Sequence, residues 1–156
     1  MILVTVGTHE TPFDRLLRAV APLVELDELM VQYGSSELRV AGATCVDFLP
    51  FTELAGLAAG ARAVVTHAGA GSVLVALGAG KRPIVMPRIH AFGEAVDDHQ
   101  LVFARHLSSA GRITLVEDPA QMKTAVERAS TGESPPSGAN ALISDLAAYL
   151  RESLDA

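Results

Sequence analysis

The sequence predicts an α/β domain: a parallel sheet with helices on both faces. Three observations predict it. Short apolar runs alternate with stretches of helical periodicity from residue 2 to residue 129, the order that builds parallel strands joined by helical crossovers. Residues 2–6, 63–65 and 83–87 lack the alternation of a half-solvated strand, as strands covered on both sides must. Polar or glycine-bearing loops follow Val6, Val65 and Pro87, at the carboxyl edge where such sheets bind ligands.

Residues 2–6 read as the first strand, short and β-branched. Gly7-Thr8-His9-Glu10-Thr11 is a loop. Pro12 suits the first position of a helix to about residue 24, because its missing N–H would find no partner there. Leu16, Leu17, Val20, Leu23 and Val24 give that helix an apolar stripe. Residues 29–33 make a second strand, closed by Gly34-Ser35-Ser36, and 38–49 reads as extended but interrupted by Gly42. A short helix over 52–59 leads to a strand over 63–65, a glycine turn and a helix to residue 79, with Gly80 at its C-cap. The next buried strand is 83–87, followed by a loop over 88–95 and a helix over 97–109 that stops near Gly111. Residues 113–116 form the last strand and 119–129 a helix. Residues 130–138 carry two prolines and two glycines and read as a mobile linker. The final helix, 139–155, repeats leucine at 142, 146, 150 and 154, a stripe that must pack on something.

With 156 residues the chain fits one domain, 1–156, large enough for an ordinary core. A hydrophobic content of 49% with 19% charged residues excludes a disordered chain. The net charge of −6, without a Lys/Arg cluster, argues against a nucleic-acid binder. One cysteine, Cys45, excludes an internal disulfide and fits a reducing cytoplasm; its expected role is a small buried side chain. Met1 leads straight into the first strand with no basic leader. The uncharged stretch 63–80 is broken by His67, Thr66, Ser72 and four glycines, which makes a poor membrane span.

The chemistry concentrates in two motifs. Thr66-His67-Ala68-Gly69-Ala70-Gly71-Ser72 joins a strand to a helix. Small residues there let a ligand approach the backbone, and the free N–H groups and dipole of the new helix favour an anion. Glycines at such a turn also serve plain packing. The dinucleotide fingerprint fits badly: its third glycine position holds Leu74, and no acid follows about twenty residues on. No Gly-Lys-Ser/Thr completes a phosphate loop of the other common type. Gly7-Thr8 repeats the logic after the first strand. His67, at the strand end, is either a core histidine or part of the site.

The second motif is Gly93-Glu94-Ala95-Val96-Asp97-Asp98-His99-Gln100. Asp97 or Asp98 serves as a helix N-cap, which leaves Glu94, His99 and Gln100 to be explained. Carboxylate, imidazole and amide groups read sugar hydroxyls by accepting and donating. His90, Glu94, Asp98 and His99 are also metal-ligand types, a competing reading. Arg88 either neutralises a phosphate or pairs with Glu94. Together the motifs point to a nucleotide-sugar site.

At this point the chain resembles the C-terminal, nucleotide-sugar-binding half of family 28 glycosyltransferases of the GT-B fold. It is similar to the small split subunits of bacterial exopolysaccharide synthesis and of eukaryotic dolichol-linked N-acetylglucosamine transfer. The matching segments are Val4-Thr5-Val6-Gly7-Thr8 with Pro12-Phe13-Asp14, the glycine turn 66–72, Gly80-Lys81-Arg82-Pro83-Ile84-Val85-Met86-Pro87-Arg88, and Phe92 through Gln100. The resemblance implies a Rossmann-like domain equal to the donor half of a GT-B fold, a UDP-sugar donor, and inverting hexosyl transfer with no metal or other cofactor. It also implies a membrane-associated partner that binds the acceptor and draws this cytoplasmic chain to the inner face of the membrane. By the resemblance, Gly7, Thr8 and the turn Ala68-Gly69-Ala70-Gly71-Ser72 meet the pyrophosphate. Phe51 and Thr52, after Pro50, lie near uracil, and His99 and Gln100 hold the sugar. Many relatives carry a ribose-binding Glu where this chain has Val75, and Glu94 is the substitute candidate. The base is either His9 or a group on the partner. Two rival readings are a non-catalytic nucleotide-binding or regulatory subunit and a metal-dependent hydrolase using His90, Glu94 and His99.

Overall fold

The computed structural model describes residues 1–130, 144–149 and 151. Six strands, β1 (Ile2–Thr5), β2 (Leu29–Gln32), β3 (Thr44–Val46), β4 (Ala63–Thr66), β5 (Ile84–Val85) and β6 (Thr114–Leu115), form one sheet of order β3-β2-β1-β4-β5-β6. Every pair is parallel, with Ile2 opposite both Leu29 and Ala63. The helices are α1 (Asp14–Val20), α2 (Phe51–Gly60), α3 (Ala70–Gly78), α4 (His99–Ser109) and α5 (Met122–Ala129).

Alternation along the central strands divides the core, because successive side chains leave a strand on opposite faces. Ile2, Val4, Ala63 and Val65 point to one layer, where Leu16, Leu17 and Val20 of α1 meet Met122 and Val126 of α5. Leu3 and Val64 point the other way, to Ala58 of α2 and Ala76 of α3. Val85 continues that second layer toward Phe103, Ala104 and Leu107 of α4.

Differences from the sequence reading have local causes. The helix expected from Pro12 to residue 24 begins at Asp14 and gives way at Ala21–Glu25 to a 3₁₀ turn, because Pro22 has no N–H to continue the α-helical ladder. The region 38–49 contributes the short edge strand β3. Cys45 is half-buried there, its thiol directed at the Val40 carbonyl. Gly80 ends α3 as expected: at φ +73° it carries Lys81 N back to Ala76 O and its own N to Leu77 O. α4 starts at His99, and Asp97 Oδ1, rather than Asp98, accepts the His99 N–H at 3.0 Å.

The expected linker 130–138 lies outside the described residues from 131 on, as do Leu142, Leu150 and Leu154. Residues 144–149 are helical. Leu146 and Tyr149 pack on the α4 layer, Tyr149 lies 4.9 Å from the Phe103 ring, and Asp145 pairs with Arg112 at 2.9 Å. This part of the leucine stripe therefore covers the chain's own core. Among the described residues no helix is long and apolar enough to cross a membrane.

Candidate functional site

The loops after β1, β3 and β4, the last residue of β2 and the N-termini of α2 and α3 surround a cleft of about 540 Å³ at the carboxyl edge of the sheet. It is lined by Gly7, Thr8, His9, Phe51, His67, Gly69, Gly71, Ser72 and Gln100, which the sequence nominated, and by Gln32, Phe48, Leu49, Leu54 and Val75. The switch in strand order between β1 and β4 puts this cleft where open parallel sheets bind ligands.

α3 points its start into the cleft. Its first internal bond is Val73 N to Gly69 O at 3.1 Å, so the N–H groups ahead of Val73 belong to the helix end that the dipole makes positive. Gly69 has φ −67° and Gly71 is not in the left-handed region. The turn therefore does not need glycine for its backbone angles. Gly69 is small because a Cβ would strike the His67 ring, and Gly71 faces open space. Gly7, at φ +78°, needs glycine on both counts: its conformation is left-handed and a Cβ would meet His67 Nε2.

His67 is buried beneath both loops. Its Nδ1 accepts the Gly69 N–H at 2.9 Å and its Nε2 lies 3.0 Å from Ser72 Oγ. Burial first, and the Arg88 charge second, lower its pKa to about 4, while the Gln100 side chain acts in the opposite direction. The ring is neutral at physiological pH. His9 is exposed at the mouth, and its Nδ1 accepts the Thr11 N–H at 3.0 Å. A neutral ring so held carries its proton on Nε2 and has no lone pair free to take another.

Two amides face the cleft with their carbonyl oxygens already engaged. Gln100 Oε1 accepts from Ala68 N and Arg88 N, both at 3.2 Å, and so ties the ends of β4 and β5 together. Gln32 Oε1 accepts from the Thr5 hydroxyl at 2.6 Å, and Thr5 Oγ1 in turn accepts from Gly7 N at 3.1 Å. Each amide has its NH₂ left for a ligand oxygen. The signal for Gln32 in the sequence was a polar residue closing an apolar strand; Leu49 and Leu54 carried none, and position 75 was marked only by the resemblance, as the ribose contact of many relatives.

The remaining nominated residues lie outside the lining. Arg88 is fully buried, its guanidinium donating to the carbonyls of Val6, Thr11, Pro12 and Glu94. It thus clasps the β1 loop to the β5 loop rather than contacting the cleft. Desolvation lowers its pKa, and the charge of Glu94 opposes that shift. The Glu94 carboxylate pairs instead with Arg15, at 2.8 and 2.9 Å, and also accepts the Ile89 N–H. Arg15 is stacked between Phe13 and Phe92. Asp98 Oδ1 accepts the His90 N–H, and His99 is exposed beside Asp97. The hydrogen bonds from His99 lower the Asp97 pKa. Ala68 is buried against α4, while Thr52 and Ala70 are exposed on the first turns of α2 and α3. Among the described residues no group of three or more His, Cys, Asp and Glu is placed to hold a metal ion.

A six-stranded parallel sheet of this order, flanked by helices and open at its carboxyl edge, is the Rossmann-like half of a GT-B glycosyltransferase fold. The glycotransferase of kitacinnamycin superposes on 97% of the chain with a TM-score of 0.65 and 20% identity. CalG4, the calicheamicin glycosyltransferase, superposes on 98% with a TM-score of 0.60, also at 20% identity. In each case the chain matches 38% of the larger protein. Residues 1–133 match the glycosyltransferase family 28 C-terminal domain, and the chain belongs to that family. It is 31% identical over 122 residues to the UDP-N-acetylglucosamine transferase subunit ALG13 of Yarrowia lipolytica, covering 69% of this chain and 60% of that protein. It is 32% identical over 128 residues to a UDP-N-acetylglucosamine–N-acetylmuramyl-(pentapeptide) pyrophosphoryl-undecaprenol N-acetylglucosamine transferase of Ralstonia nicotianae, covering 82% of this chain and 32% of that protein.

Proposed function

We propose that this chain is the donor-binding subunit of a two-component glycosyltransferase. It holds a UDP-sugar in the cleft while a second, membrane-associated polypeptide supplies the acceptor. The observation that carries this reading is the meeting of the Gly7-Thr8 loop with the start of α3 in one cleft, where an anion gains backbone donors and the helix dipole together. The diphosphate lies against these groups, the uracil beside exposed Phe48 and Phe51, and the sugar toward the Gln100 amide. The two curated relatives support the choice of donor by name, and the word subunit in one of them supports a partner. The chain's share of those relatives, 60% and 32%, leaves room for an acceptor-binding half elsewhere.

In the transfer, negative charge develops on the departing UDP, and the positive end of α3 is preorganised to receive it. Inversion further needs a base for the acceptor hydroxyl. The described lining residues include two ionisable side chains, His9 and His67. His67 gives its Nδ1 lone pair to the Gly69 N–H and is made a weak base by a pKa of about 4, and His9 gives its Nδ1 lone pair to the Thr11 N–H, so the base is assigned to the partner. The same observation favours a second reading, in which the chain binds the nucleotide without taking part in chemistry.

Calorimetric titration with UDP, UDP-N-acetylglucosamine and ADP tests the first claim, with micromolar to millimolar binding expected for the uridine ligands. Equal or absent binding of all three would sink it. Transfer by the reconstituted pair separates the two readings. A Ser72→Ala variant that still co-purifies with the partner but slows transfer at saturating donor supports catalysis, whereas unchanged turnover supports the second reading.

A further inference from the structure

The His67 ring occupies the space between Gly7 and Gly69, touching the two loops that cradle the proposed anion site. Its hydrogen bonds determine where its proton is. The Gly69 N–H can only donate, so Nδ1, 2.9 Å away, presents its lone pair. A neutral imidazole then carries its proton on Nε2, and the burial that lowers its pKa to about 4 keeps it neutral. Nε2 lies 3.0 Å from Ser72 Oγ. With the proton on Nε2, the serine oxygen accepts, and its own proton must go elsewhere. Ser72 is the third residue of α3 and lines the cleft.

We propose that His67 is a positioning residue that acts through Ser72: its Nε2–H takes a lone pair of the serine oxygen and turns the serine proton toward the cleft as a donor to a diphosphate oxygen. The inference rests on the donor-binding function proposed above and deepens it. A diphosphate oxygen accepts hydrogen bonds, so a serine proton turned toward the histidine would leave two lone pairs facing each other. A ring already protonated on Nε2 prevents that arrangement. The role needs no charge on His67 and no proton transfer. Arg88 and His9 are the charged or titratable groups whose fields reach the ring, and both disfavour its protonation.

Two measurements test this on the full chain. Two-bond ¹H–¹⁵N spectra of the His67 ring need no ligand; the Nε2–H tautomer is expected, unchanged from pH 7.5 to 5.5. A ring protonated on Nδ1, or an imidazolium in that range, overturns the inference. UDP titration of S72A, H67A, H67A/S72A and H67Q supplies the second. S72A is expected to lose about tenfold or more in affinity, as for a hydrogen bond to a charged group. H67A should lose a similar factor, and the double variant should bind within about twofold of S72A. H67Q, whose amide nitrogen can donate from near the Nε2 position, should recover most of the loss. A further tenfold loss from H67A in the S72A background overturns the inference, because His67 would then act on the ligand by another route. Failure of the wild-type chain to bind UDP overturns the proposed function itself, whereas a wrong tautomer overturns this inference alone.

Discussion

Acid should weaken this fold through one side chain. His67 has a pKa of about 4 in the native state against 6.5 for the solvent-exposed side chain of the unfolded state, so below pH 6.5 the unfolded state binds a proton that the folded state refuses. The sign follows: stability contributed by neutral His67 is complete above pH 6.5 and is lost progressively as pH falls toward 4. One pKa unit is worth about 1.4 kcal/mol, and the lag between the two states covers about one and a half units by pH 5. The loss between pH 7 and pH 5 is therefore about 2 kcal/mol, a large fraction of the 5–15 kcal/mol of stability that domains typically have, roughly stated. Asp27 and Asp97 also have displaced pKa values, but both are lowered from 3.8. Their contributions disappear only below that value, outside the window. Urea unfolding at pH 7, 6 and 5 measures the effect, and H67Q isolates it: the variant should be less stable at pH 7 and nearly flat across the range. An equal pH slope in H67Q and wild type would refute the assignment of a buried neutral imidazole.

The other predictions concern the loops around that ring. Gly71→Ala should fold at least as well as wild type, because its Cβ meets open space and Ala is the better helix former by about 1 kcal/mol, yet it should weaken UDP binding in calorimetry. Gly69→Ala should lower the thermal midpoint by pushing on His67; equal melting of the two variants would show that the ring does not fill that space. Arg88→Met leaves the buried carbonyls of Val6 and Glu94 without this donor, besides the half-buried bonds to Thr11 and Pro12, and should cost about 2 kcal/mol or more in urea unfolding, since each orphaned buried acceptor costs about 1–3 kcal/mol. Gln100→Ala should reduce affinity for a UDP-sugar several-fold more than for UDP, which parallel titrations measure; an equal loss assigns the residue to joining β4 and β5 alone.

By itself the sequence determined the architecture, the parallel order of its elements and the edge that carries the site. Strand and helix periodicities are local properties of the chain, and burial on both faces leaves an unbroken apolar run such as residues 2–6. The glycine turn was legible for the same reason, since a strand, small residues and a helix follow one another within a few positions. Tertiary structure alone decided what those glycines are for. Gly69 and Gly7 are small because His67 lies against them, a contact across separate loops in the case of Gly7 that no local pattern encodes. The polar run 93–100 shows the same limit from the other side. Its residue types suit a sugar, yet only Gln100 reaches the cleft; Glu94 turns to Arg15, distant by 79 positions in sequence, and Arg88 turns inward to four carbonyls. Charge and hydrogen-bonding capacity can be read from residue type, but a polar group spends them on whichever partner the fold brings within reach, and that choice is made in three dimensions.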